Sequence, residues 1–87
     1  MDKDKIIELG KMLSVVSAGP WISFVEGRDH DSGSSFIRTG DKDYEIEFIR
    51  LKEEDQDFIA LMRNALPELL EEINRLEDIL DRNNIPY

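Results

Sequence analysis

The hydrophobic rhythm of the chain changes twice. Ile6, Leu9, Leu13 and Val16 recur at steps of three and four, with Ile7 and Met12 beside them, which predicts a first helix over residues 3–16. Asp2 or Asp4 can cap its start, and Ser17-Ala18-Gly19-Pro20 ends it. Gly10 weakens the interior by about 1 kcal/mol relative to alanine, which predicts a close crossing with another element. From Trp21 onward the period shortens to two. Residues 21–26, 35–39 and 43–49 are β-branched and aromatic runs, the last alternating Tyr44, Ile46 and Phe48 with Glu45 and Glu47. Thr39-Gly40-Asp41-Lys42 is a short glycine-containing turn, so the second and third strands should be antiparallel. The alternation predicts a sheet with one wet face and one covered face.

The helical period returns at Asp55 and lasts to Arg82. Met62, Leu66, Leu69, Ile73, Leu76 and Leu80 form one seam that Phe58 extends, and the charged residues fall mostly elsewhere. Pro67 interrupts the pattern. A mid-helix proline removes one backbone bond and clashes with the carbonyl of Arg63, which predicts two pieces, 55–64 and 66–82, or a kink between them. The resulting fold class is α+β, a single domain over 1–87. Its order is α-β-β-β-α, with a three-stranded antiparallel sheet packed on the long C-terminal helix. Tyr44, Ile46, Phe48 and Phe36 should face Phe58, Met62, Leu66, Leu69 and Ile73.

A domain of 87 residues buries only about 60 to 65 % of its unfolded surface, so a second copy would help it. The seam reaches Leu80, past what three strands can cover, and predicts a homo-oligomer through Leu69, Ile73, Leu76 and Leu80. Eleven basic against twenty acidic residues leave a net charge of -9. Such a field opposes phosphate backbones and argues against a nucleic-acid partner, while fitting either simple solubility or docking on a basic protein. No apolar stretch reaches the ~18 residues of a membrane span, so no membrane partner is expected and the expected location is the cytoplasm. Cysteine is absent, which removes thiolate metal sites and a cysteine nucleophile.

One segment concentrates chemistry. Residues 27–35 hold the single histidine, an arginine, three serines and two glycines. Arg28 offers a bidentate fork, His30, Ser32 and Ser34 offer hydrogen bonds beside Asp29, and Gly33 lets the backbone approach an anion. This is the inventory of a phosphate or nucleotide site, and equally of a hairpin turn held by its own Asp and Ser side chains. A metal held by Asp29, His30 and Asp31 with Asp41 or Asp43 is disfavoured, because adjacent residues rarely converge on one ion. His30 and Asp29 near Ser32, Ser34 and Ser35 supply the residue types of a triad, which is recognised by geometry and not by nearness in sequence. Neither a cofactor nor catalysis is expected.

The residues Gly19-Pro20-Trp21, then Asp57-Phe58-Ile59-Ala60, Arg63, Leu66-Pro67, Leu69-Leu70, Glu72-Ile73 and Arg75-Leu76 resemble a group of short, mostly uncharacterised phage and prophage proteins. These carry G-P-W near the start and D-x-x-F-I-A-x-x-R-x-x-x-P-x-L-L-x-E-(I/V)-x-R-L at the end. A subset is similar also in a G-R-D-H-x-S-G-S-x-F-I segment, here Gly27 to Ile37. Ala65 departs from the acid common at its position. The resemblance implies a phage-like setting, host cytoplasm included, and carries no activity. Three expectations follow: an oligomeric binder of a phosphorylated small molecule, with a possible anti-defence role; an acidic inhibitor or nucleic-acid mimic; or a helix-mediated dimer without ligand.

Overall fold

Helix α1 spans Lys3–Val15, strands β1, β2 and β3 span Ile22–Phe24, Ser35–Arg38 and Glu45–Phe48, and helix α2 spans Glu53–Arg82 in a computed structural model that describes residues 2–87. The class is α+β, with the strands in the order β1-β2-β3 and both pairs antiparallel. The chain divides into two compact units. One joins the residues up to Val16 with Ala65–Tyr87, and the other is Ser17–Asn64.

In the helical unit, Asp2 caps α1 by accepting the Asp4 N–H at 2.9 Å. Ile6, Leu9, Leu13 and Val16 are half-buried along one arc. From residue 65 on, α2 half-buries Leu66, Leu70, Ile73 and Leu80 in the same manner. Ile6 joins Ile73, Leu76 and Leu80 in lining a cavity of about 290 Å³. The C-terminus of α2 closes in a Schellman motif: Asn84 takes φ 55°, its N–H bonds to the Asp81 carbonyl, and the Ile85 N–H bonds to the Leu80 carbonyl at 2.9 Å. Gly10 corrects one expectation, because a Cβ there would meet nothing within 4 Å. No crossing needs it. Gly10→Ala should therefore stabilise by about 1 kcal/mol in chemical denaturation, through helix propensity alone.

In the sheet unit, register places Ser23, Ile37 and Ile46 side by side across the strands, and Phe24, Phe36 and Glu47 side by side on the other face. Ile37 is fully buried, and Val25, Thr39, Gln56 and Ala60 complete the buried set. The turns of α2 that belong to this unit thus approach the strands through Gln56 and Ala60. Gln56 donates from Nε2 to the carbonyls of Phe24 at 3.1 Å and Phe36 at 3.0 Å.

The expected facing partners need correction. Phe36 lies opposite Glu47 and not beside Ile46, while Tyr44, Phe58 and Met62 are 53 %, 60 % and 39 % exposed. Leu66, Leu69 and Ile73 belong to the helical unit. The cause is steric and polar at once: alanine admits close approach, and a buried glutamine can satisfy two backbone acceptors that a phenylalanine cannot.

The expected break in the last helix is also corrected. Residues 53–82 form one helix with Pro67 inside it. The proline removes one backbone N–H, and the helix runs on through it.

Candidate functional site

The segment from Val25 to Ser35 is tied down by its own polar groups. Asp29 Oδ2 accepts the Val25 N–H at 2.8 Å, and the Arg28 and Asp29 N–H groups both return to the Val25 carbonyl. The Gly27 N–H reaches the His30 carbonyl at 2.8 Å, with Gly27 at φ 80°. Gly33, at φ 103°, donates its N–H to Glu26 Oε2 at 2.8 Å, and Ser35 Oγ accepts the Glu26 N–H. The positive φ values explain why glycine stands at both bends.

His30 Nδ1 accepts the Ser32 N–H at 3.1 Å and lies 2.7 Å from Ser32 Oγ. That assignment puts the neutral ring's proton on Nε2, a buried atom with no hydrogen-bond partner. The imidazole ring rests 4.9 Å from the Phe36 ring at 52°. Phe36 in turn stacks on Phe24 at 5.2 Å, and the Arg38 guanidinium lies 4.8 Å above Phe24. Ser34 is half-buried.

Arg28 is held by three carboxylates. Its Nη2 and Nη1 meet Asp57 at 3.0 and 2.8 Å, its Nε and Nη2 meet Asp29, and Nη1 meets Glu53. The guanidinium draws Asp57 down from the usual 3.8 to about 2 and lowers Asp29 as well, while the carboxylates raise Arg28 further. Because the Asp57 carboxyl titrates lower when folded than when unfolded, its contribution is complete above about pH 3.8 and is lost as pH falls through 2. Stability followed by denaturant titration at pH 4.5 and pH 2.5 should fall between the two, and fall less in Asp57→Asn.

A second polar junction holds the segment around Trp21. The Asn64 amide meets the Trp21 backbone twice, accepting its N–H and donating to its carbonyl, each at 2.7 Å. Arg63 donates to the Ser17 carbonyl at 3.3 Å and lies 5.8 Å from the Trp21 ring centroid. Trp21 Nε1 reaches the same Ser17 carbonyl at 3.0 Å.

No protein-family model, curated protein or solved structure matches the chain. The chemistry is therefore read from this geometry alone.

The structure brings Arg28, Asp29, His30, Ser32 and Gly33 into one turn, and it supplies partners from within the chain for the Arg28 and Gly33 donors, while His30 Nε2 has none. Glu26 sits on the Gly33 N–H that an anion would use, and the Arg28 fork is filled by Asp57, Asp29 and Glu53. Among the described residues no group of His, Asp and Glu has a metal-binding arrangement. Of the four expected interface residues, Leu69 and Leu76 are 48 % and 46 % exposed, whereas Ile73 and Leu80 are half-buried beside α1. Glu26, Glu53, Asp57, Arg63 and Asn64 escaped the sequence reading as partners. The surplus of acid was a signal that an arginine would be neutralised internally, but nothing in the spacing said by which residues.

Proposed function

We propose that this chain is an oligomer-forming interaction protein of the helix-mediated kind, working without a bound anion in the 27–35 turn. The observation that carries the reading is the distribution of apolar side chains. Among the described residues only Val25, Ile37 and Ala60 are buried hydrophobics, while Phe58, Leu61, Leu69, Leu76 and Val15 are among the many that stay exposed. Monomers rarely leave so much apolar surface in water, and surfaces of this kind mark association. The turn contributes rigidity: its carboxylates already occupy the donors that a phosphate would need, and a net charge of -9 opposes an incoming anion.

Sedimentation at tens of micromolar should give a multiple of 10.1 kDa. A monomer there would end the reading. Thermal melts with cyclic and linear nucleotides should show no shift, since a ligand at 100 times its Kd would add about 2.7 kcal/mol and several degrees. A clear rise would restore anion capture at the turn.

A further inference from the structure

The strand order β1-β2-β3 makes β1 and β3 the two edges of the sheet. The Thr39 N–H bonds to the Tyr44 carbonyl at 3.3 Å, and along an antiparallel pair the bonded positions alternate. Ile46 and Phe48 therefore bond inward to β2 on one side, and Ile22 and Phe24 on the other. The outward main-chain groups are those of Glu45 and Glu47 on β3, and of Trp21, Ser23 and Val25 along β1. The chain itself closes the β1 edge. The Asn64 amide holds both the N–H and the carbonyl of Trp21, Asp29 holds the Val25 N–H, and the Val25 carbonyl accepts from the Arg28 and Asp29 N–H groups. Ser23 is left between two blocked positions. At the other edge, among the described residues, no loop reaches the main chain of Glu45 or Glu47, and Ile49 just past the strand is 98 % exposed. An open row of donors and acceptors is a template for one more strand.

We propose that the β3 edge accepts an extended basic segment of another protein as a fourth strand, with lysines or arginines at alternate positions opposite Glu45 and Glu47. This goes beyond the proposed self-association, which runs through helix residues. Charge selects the occupant. Residues 41–48 hold Asp41, Asp43, Glu45 and Glu47 against Lys42 alone. Arg38 approaches Glu45 at 3.6 Å, and among the described residues Glu47 has no ion-pair partner. Both glutamates are exposed. Residues that bond to the main chain of Glu45 and Glu47 place their side chains on the same face as these carboxylates, so cations there meet them directly. A second copy of β3 fits poorly. Each antiparallel register that bonds these outward groups and pairs most of both strands sets Glu45 opposite Glu47 or Glu47 opposite itself, and like charges directly opposite are destabilising.

The test adds a short synthetic peptide alternating lysine and valine to the isotope-labelled full chain, followed by amide NMR. Binding should shift the Glu45 and Glu47 amides and slow their hydrogen exchange, and leave those of Trp21 and Val25 unchanged. N-methylation of the peptide's lysines, whose N–H groups face β3, should abolish binding. N-methylation of its valines, whose N–H groups face away, should preserve it. Glu45→Gln with Glu47→Gln changes exposed side chains, so circular dichroism should show a folded protein while binding weakens about three- to tenfold. A peptide alternating glutamate and valine should not bind. No response at Glu45 and Glu47 overturns the proposal. Equal binding by both methylated peptides means charge attraction alone and overturns the added strand. Protection of the two amides that needs no peptide and grows with protein concentration makes the edge an interface between copies and overturns the basic partner. Sedimentation of the peptide-free chain reads the helix-mediated self-association separately.

Discussion

Gln56→Ala lowers the unfolding free energy by about 3 to 5 kcal/mol, one of the two largest effects expected of a single substitution here. The side chain is 1 % exposed and bonds to two strand carbonyls. Truncation removes both bonds, at about 1 kcal/mol each, and opens a cavity that costs a further 2 kcal/mol or so. Against a total of roughly 4 to 13 kcal/mol for a chain of this length, the loss is large. Gln56→Leu fills the volume without donors and should cost less than the alanine, which separates packing from hydrogen bonding. Gln56→Glu sets a carboxylate against two carbonyls in a dry site, which raises its pKa in the folded protein. Its stability is then greater when the group is protonated and declines as pH rises, opposite in sign to the Asp57 effect. Urea titrations at pH 4 and pH 7 read all three variants, and a Gln56→Ala loss under 1 kcal/mol would show that the glutamine does not join α2 to the sheet.

Gly40→Ala is the second. A Cβ at that position would intrude on the backbone of Gly19 and lie 2.7 Å from the Ala18 carbonyl oxygen, whose hydrogen bond from the Gly40 N–H is only 2.6 Å long. The obstacle is main chain and not the end of a flexible side chain, so the β2–β3 turn must draw away from the Ala18-Gly19 segment. A cost of about 3 kcal/mol or more follows. Thermal unfolding of Gly40→Ala beside Gly10→Ala makes a clean contrast, one glycine required by contact and the other by nothing. An unchanged melting temperature in Gly40→Ala would mean the turn has slack.

The elements themselves were legible because each obeys one period. Ile46 and Phe48 alternate with glutamates and share a face, whereas Tyr44 precedes the strand and is exposed. The second strand was expected to turn Phe36 inward, and it turns Ile37 inward instead: the two are adjacent and both apolar, so alternation does not distinguish them, and the smaller one is buried. Hydrophobicity also misled on α2. It favours Phe58 and Met62 as the face toward the strands, whereas Gln56 and Ala60 are there, and the large residues are left for association. The donors of the 27–35 turn were visible as residue types. Their acceptors Glu53 and Asp57 lie 25 and 29 positions away from Arg28, a distance over which sequence carries no geometric information.

The way the two units divide the chain sets an order of events during synthesis. Residues 17–64 are contiguous and can assemble as soon as they emerge. Helix α1 emerges before them but belongs with residues 65 onward, so its apolar arc has no partner until α2 is complete. At bacterial-like translation speeds the 67 residues between Val15 and Arg82 take roughly 3 to 13 s. For that interval the nascent chain carries an uncovered amphipathic segment, a feature that chaperones and neighbouring nascent chains on the same message are placed to meet.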